Sequence, residues 1–265
     1  MRLMHRHGAI WILKRCRWVR RPRTKFRHFR VDRRGAQRLI NRARRAGRTY
    51  LPDIEAMEIL SAYGFPLLKS QFCKNSAKLL RTASKIGYPV ALKIVSRDIV
   101  HKFDAGGVIL GIKDEKTLQT NYDRMMRSIR LKYPKARLQG VHVQEMAGSG
   151  QELFLGMKQD PHFGPILLFG LGGIYVEALR DITYRVAPIR ELGAERMIEG
   201  IRGYPILRGI RGQKPSDLAA ISECILRLSQ FATELDGIEE LDINPLIAYE
   251  KGKGYRVIDC RMVLS

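Results

Sequence analysis

The amino-acid sequence predicts an α+β fold, because helix-like and strand-like stretches alternate along it without the regular repeat of a doubly wound parallel sheet. Two features of composition fit a folded molecule of that class. Hydrophobic residues make up 45% of the 265 residues, ordinary for a globular protein and too many for a disordered one. That length suffices for one large domain or two smaller ones around a real core. No apolar run approaches the roughly 20 residues that a bilayer requires, which excludes a membrane-spanning helix.

The elements follow in order. From Asp32, a capping residue, the apolar positions Ala36, Leu39, Ile40 and Ala43 recur at helical spacing until Gly47. Asp53 can cap a short helix through Ile54, Met57, Ile59 and Leu60 that stops at Gly64, and Ser76 can cap another that stops at Gly87. Val90–Val95 and Val108–Ile112 read as strands, and Glu115–Leu131 as an amphipathic helix. Strands are expected over Val141–Met146 and Glu152–Met157, around a Gly148-Ser149-Gly150 turn. Pro165–Phe169 is an apolar strand running into a glycine loop, and Ile182–Ala187 is a further strand. Pro215 opens a long helix through Ile221, Ile225, Leu228 and Phe231. Two strands, Glu239–Tyr249 and Tyr255–Asp259, close the chain around Lys251-Gly252-Lys253-Gly254.

Charge is unevenly distributed. The chain carries a formal +22, yet residues 1–48 alone hold 18 Lys+Arg and one acid, Asp32, and the rest is only mildly basic. Such a block can bind nucleic acid or an anionic surface by releasing counterions, can direct import, or can be a solvated extension. It contains no base-reading motif, so nucleic acid ranks below the other readings. Four cysteines (Cys16, Cys73, Cys224, Cys260) lack paired spacing. That argues against a disulfide framework or a zinc site, and for a reducing, cytoplasmic setting.

Four features carry chemistry. Lys93 lies amid the apolar strand Val90–Val95 and must either face solvent or meet an anion, because burying an unpaired ammonium is costly. Gly170-Leu171-Gly172-Gly173 follows a strand, where glycines let backbone amides approach phosphate oxygens. It has neither the Rossmann nor the P-loop spacing. His101-Lys102-Phe103-Asp104-Ala105-Gly106-Gly107 puts an imidazole in a polar, glycine-bearing loop suited to nucleophilic or acid–base work. In the C-terminal hairpin, a two-residue loop at Lys251-Gly252 would set Asn244 directly opposite Asp259. Opposed side chains lie about 4.5–5.5 Å apart at Cβ, and an amide plus a carboxylate oxygen suits Mg²⁺.

Together these motifs resemble the ATP-grasp domain of nucleoside-diphosphate-forming acyl-CoA synthetases, of which ADP-forming acetate–CoA ligase is the best-known kind. Succinyl-CoA synthetase β chains are more distantly similar. The resemblance runs over residues 50–265 through Leu92–Ser96, His101–Val108, Val143–Met146, Phe163–Pro165, Phe169–Ile174 and Glu240–Leu246. It implies a two-lobed ATP-grasp fold that clamps ATP/ADP and Mg²⁺. Residues 1–30 would be a poorly ordered basic arm and 31–51 a lead-in helix and linker. The domain would fill 52–265, with lobes at about 52–135 and 136–265.

By the same resemblance, Lys93 would contact the phosphates. Gln144, Glu145 and Met146 would line the adenine pocket, and Glu152 would contact the ribose. Gly170, Gly172 and Gly173 would form the glycine loop, the last two closing over the phosphates. Asn244 and Asp259 would hold Mg²⁺. His101 would carry a phosphoryl group between ADP/ATP and a CoA-binding α-type partner that handles acyl-CoA and phosphate, for which this chain has no room. Two departures, Phe103 for a small polar residue and Gly148-Ser149-Gly150 for Pro-Gly-Gly, leave those residues in place. The competing readings are a nucleotide-binding regulatory module without turnover, and anionic-surface or nucleic-acid binding by the arm.

Overall fold

The computed structural model describes residues 26–51, 53–96, 98–99, 102–173, 179–210 and 212–265. The stretch 1–25, most of the expected basic arm, lies outside the described residues, as does His101. In chain order the elements are α1 (Arg33–Arg45), β1 (Tyr50–Leu51), α2 (Asp53–Ala62), β2 (Ser70–Cys73), α3 (Ser76–Ile86) and β3 (Val90–Ser96). Next come β4 (Val108–Ile112), α4 (Glu115–Lys132), β5 (Leu138–Glu145), β6 (Gln151–Asp160), β7 (Gly164–Leu171) and β8 (Ile182–Val186). The rest are α5 (Glu191–Glu199), α6 (Tyr204–Leu207), α7 (Leu218–Glu234), β9 (Ile238–Ala248), β10 (Tyr255–Val257) and β11 (Cys260–Leu264).

These elements build two antiparallel sheets. The smaller has the order β2-β5-β3-β4 and is backed by α3 and α4. Its strands alternate in the ordinary way. Leu92, Ile94, Val141 and Val143 pack with Leu79, Ala83, Leu118 and Ile129 of the helices. Lys93, His142 and Gln144 therefore point from the opposite face, toward the second sheet. The larger sheet has the order β1-β11-β9-β6-β7-β8, with β10 also paired to β9. One face, with Leu153, Leu155, Phe169, Leu241 and Ile243, packs on Ile221, Ile225, Leu228 and Phe231 of α7 and on α1 and α2. Alternation then sends Glu240, Asp242 and Asn244 to the other face, toward the smaller sheet.

Most local signals act where they were read. The Asp32 carboxylate caps α1 by accepting the Gly35 amide at 2.8 Å. α4 is capped by Asp114, which accepts the Thr117 amide at 2.7 Å. Two starts differ. Asn75, not Ser76, caps α3 through the Lys78 amide. α7 begins after Asp217, whose carboxylate accepts the Ala220 amide at 3.1 Å, so Pro215 precedes the helix and does not open it.

The layers also divide later than expected. β5 pairs with β3 along Val90–Ser96, so the smaller sheet extends to Glu145 and does not end near residue 135. β1 and α2 belong with the larger sheet. Residues 26–30, read as part of the arm, are docked: the Gln230 side chain accepts the Phe29 amide at 2.7 Å and donates to its carbonyl at 3.0 Å. Among the described residues, no helix is long and apolar enough to cross a membrane. Cys73, Cys224 and Cys260 are free and buried.

Candidate functional site

The two polar faces enclose a cleft of about 750 Å³. Seven of the residues singled out from the sequence line it: Lys93, Gln144, Glu145, Met146, Glu152, Asn244 and Asp259. Lys102, Phe103 and Asp104, the residues that follow His101, line it as well.

Lys93 occupies the central strand of the smaller sheet and is only 8% exposed. Of the two outcomes open to such a lysine, it meets an anion: its Nζ donates to Asp259 Oδ2 at 2.9 Å, across the cleft. Asp259 Oδ1 accepts the Cys260 amide at 2.9 Å, which fixes the carboxylate's orientation. The hairpin has the register that a Lys251-Gly252 loop requires. Val257 pairs with Leu246, Cys260 with Ile243, and the Asn244 amide donates to the Asp259 carbonyl at 3.1 Å. Asp217 braces the turn, accepting the Gly252 and Gly254 amides at 2.9 and 3.0 Å. Asn244 and Asp259 are thus cross-strand neighbours on the cleft wall.

The other end of the cleft is more apolar, with Leu68, Ala91, Met146, Ile247 and Ile258. Gln144, Glu145 and Met146, expected around the adenine, all line the cleft, and each also makes a structural contact. The Gln144 side chain is 2% exposed and its Nε2 donates to the Ile258 carbonyl at 3.0 Å. One donor of its amide thus joins the sheets, while the residue still lines the cleft. Glu145 accepts the Lys69 amide at 3.2 Å through one carboxylate oxygen, and the Met146 sulfur accepts the Gly111 amide at 3.4 Å. The seam between the sheets is reinforced nearby, where the Val257 amide donates to the Pro66 carbonyl at 2.9 Å.

Packing within the larger sheet accounts for two of the three glycines. None of Gly170, Gly172 and Gly173 lines this cleft. A Cβ on Gly170 would stand 2.6 Å from the Asp181 carbonyl oxygen, so the residue must be glycine for β7 and β8 to approach. The Gly172 amide already donates to the Glu152 carbonyl at 2.9 Å and is not available to a phosphate. Gly173 has a φ of +61° and lies against the Glu152 carboxylate. Residues 174–178 lie outside the described residues.

Several site residues escaped the sequence reading. Asp53, the first residue of α2, forms an ion pair with Lys102. Arg261 pairs in register with Asp242, and its guanidinium lies 6.0 Å from the Tyr50 ring centroid. Burial pushes the Asp242 carboxyl up to about 6, helped by the neighbouring Glu240 and opposed by Arg261 and Lys158. The signal for Asp242 was the alternation of Glu240, Asp242 and Asn244 on one strand face. The ion pairs join residues far apart in sequence and left no local trace. Beside the cleft is a hollow of about 280 Å³ bounded by Asp53, Lys93, Lys102 and His142. Burial pushes the His142 imidazole down to about 4, as do the ammonium groups of Lys93 and Lys102, while Asp53 opposes them.

No cluster of three or more His, Cys, Asp or Glu side chains among the described residues could hold a metal by itself. Asn244 and Asp259 offer hard oxygen donors of the kind that Mg²⁺ shares with water and phosphate. The arrangement can therefore accept a polyanion with its divalent cation at the Lys93–Asp259–Asn244 end and a flat apolar group at the other.

Comparison with known proteins agrees with this geometry. A model of the ATP-grasp domain matches residues 42–264. The β subunit of ADP-forming acetate–CoA ligase I from Pyrococcus furiosus is 42% identical over 229 residues, covering 86% of this chain and 97% of that subunit. ADP-forming 4-hydroxybutyrate–CoA ligase from Nitrosopumilus maritimus is 41% identical over 247 residues, covering 93% of this chain. The present chain spans 35% of the length of that longer relative. A solved structure of dinucleotide-forming acetyl-coenzyme A synthetase 1 from Ca. Korarchaeum cryptofilum superposes with a TM-score of 0.76 at 38% identity, covering 87% of this chain and all of that one. It holds coenzyme A and Mg-AMPPCP, with its phosphohistidine segment pointing towards the nucleotide-binding site. With two antiparallel sheets closing on one polar cleft and a family match across most of its length, the chain belongs to the ATP-grasp domain family, among relatives of the β subunits of ADP-forming acetate–CoA ligases.

Proposed function

We propose that this chain is the ATP-grasp subunit or domain of an ADP-forming acyl-CoA synthetase of the acetate–CoA ligase type. Its task is to exchange a phosphoryl group between ADP/ATP and His101. The observation that carries this reading is the meeting of Lys93, Asp259 and Asn244 at one end of the cleft, beside Lys102, Phe103 and Asp104. A nucleotide enters with its base against Leu68, Met146 and Ile247, its ribose near Glu152 and its phosphates at Lys93. Asn244 and Asp259 would hold Mg²⁺, which would supply charge neutralisation. Lys93 offsets the charge on the transferring group, since such transfer is mostly positioning and electrostatics. Gly173 closes over the phosphates in this reading.

In this reading His101 delivers its phosphoryl group to ADP, or takes one from ATP in reverse. A CoA-binding α-type partner, as subunit or as domain, supplies the other half of the chemistry from acyl-CoA and inorganic phosphate. The β-subunit relative and the longer ligase relative both support a division of labour of this kind. The free, buried cysteines fit a reducing cytoplasmic setting.

The test uses the purified chain with Mg²⁺ and γ-labelled ATP, beside a His101→Ala control and with a candidate partner added in parallel. Acid-labile label on the wild type alone supports the reading. Equal labelling of both proteins, or full activity of H101A in a reconstituted ligase assay, rules His101 out as the carrier.

A further inference from the structure

The Asp53–Lys102 ion pair stands apart from the Lys93–Asp259–Asn244 contacts, joins two sides of the cleft, and has both side chains about four-fifths buried. Its two ends differ in character. Asp53 opens α2, which packs in the core of the larger sheet. Lys102 belongs to a loop closed on itself by the Gly107 amide donating to the Lys102 carbonyl at 2.7 Å. That loop is fastened to β3 where the Ile94 amide donates to the Gly107 carbonyl at 2.8 Å. Gly107 leaves no room for a side chain, because a Cβ there would lie 2.5 Å from Ile94 Cδ1. Ala105 is buried beneath the loop, while Phe103 is 75% exposed on top of it. The backbone of 102–107 is therefore anchored to the smaller sheet, and the Lys102 side chain is its tie to the larger one.

We infer that Asp53 is a positioning residue: through Lys102 it seats the loop that follows His101 against the nucleotide cleft. This inference rests on the reading of His101 as phosphoryl carrier. In that reading the ion pair fixes the Lys102 side chain beside the cleft, one residue along the chain from the carrier. The pair acts on transfer alone, because neither partner is needed for the Lys93–Asp259–Asn244 contacts with nucleotide and Mg²⁺. A simple clamp between lobes would instead weaken nucleotide binding when cut.

The experiment compares the full-length wild type with Asp53→Asn, Lys102→Gln and the exchanged pair Asp53→Lys/Lys102→Asp. Single-turnover labelling from Mg²⁺ and γ-labelled ATP is followed, with nucleotide affinity measured by calorimetry and folding by thermal melting. Each single variant should label roughly tenfold more slowly, the loss of one charge-assisted bond. Nucleotide affinity should stay within about twofold of wild type on the same scale, and the exchanged pair should recover most of the rate. Wild-type labelling rates in D53N and K102Q overturn the inference. So does a parallel fall in nucleotide affinity, or slow singles with no recovery in the exchange. Absence of label on the wild type, with and without partner, would instead remove the His101 reading on which this one stands.

Discussion

Lys93 and Asp259, from different sheets and 166 residues apart, meet at 2.9 Å at one end of the cleft. Each is thereby partnered in the absence of nucleotide, so neither charge is left buried alone. In the proposed reading, nucleotide with Mg²⁺ would offer both a new partner at once: phosphate oxygens for the ammonium, a cation for the carboxylate. The ion pair can be exchanged without stranding either group, which keeps down the desolvation cost of binding.

Replacing Lys93 with Met keeps the aliphatic stem and removes the charge. Labelling from γ-labelled ATP should fall roughly 100- to 1,000-fold, the usual cost of one preorganised charge-stabilising group. A K93M rate within threefold of wild type would show that phosphate charge is offset elsewhere.

Asp259→Asn should act on the metal. The Mg²⁺ concentration for half-maximal labelling should rise at least about tenfold, and the free protein should lose about 1–3 kcal/mol as the Lys93 ammonium faces a neutral amide. Mg²⁺ titrations together with denaturant melts measure both. An unchanged Mg²⁺ requirement would remove Asp259 from the metal site.

Asp242 makes a prediction about pH. Burial first, then Glu240, hold its folded carboxyl near 6, above the ordinary value of 3.8, against the opposing pull of Arg261 and Lys158. Between these values the folded state keeps a proton that the unfolded chain has given up, so this group's contribution to stability is lost as pH rises toward 6. Asp242→Asn should therefore melt higher than wild type at pH 7–8, and the gap should close toward pH 4. A constant gap across that range would mean that the carboxylate is not strained by its surroundings.

His142 works in the opposite direction. Burial, with Lys93 and Lys102 nearby, lowers its imidazole from 6.5 to about 4. The unfolded chain takes up a proton that the folded state refuses, so stability is lost as pH falls from about 6.5 to 4, on the order of 3 kcal/mol. His142→Gln should lose less on acidification than wild type. Parallel pH profiles for the two proteins would dismiss the effect.

Much of the fold was legible because its signals are local. Strands β3 and β4 and helix α4 were bounded to within a residue or two by apolar alternation, helical spacing and end signals. The Asn244–Asp259 pairing was legible too, since a tight turn sets the register of everything that follows it. What escaped was either short or decided at long range. β1 has two residues and β2 has four, too few for a period to show. β11 follows β10 after only a brief break, and the strand read from the sequence stops at Asp259, short of it. The assignment of β5 to the smaller sheet depends on pairing with a strand on the far side of α4. Among the site residues, Lys93 announced itself by its apolar neighbours. Asp53, Lys102 and Arg261 look like ordinary surface charges until the fold brings their partners to them.

The bond from Gln144 to the Ile258 carbonyl has a mechanical consequence. With the Val257 amide fastened to Pro66 and the Ile258 amide to Pro245 at 3.1 Å, the junction of β10 and β11 is gripped from both sheets. That junction is the spine of a book whose covers are the two lobes. The covers are therefore joined along this line as well as through the Lys93–Asp259 and Asp53–Lys102 pairs within the cleft.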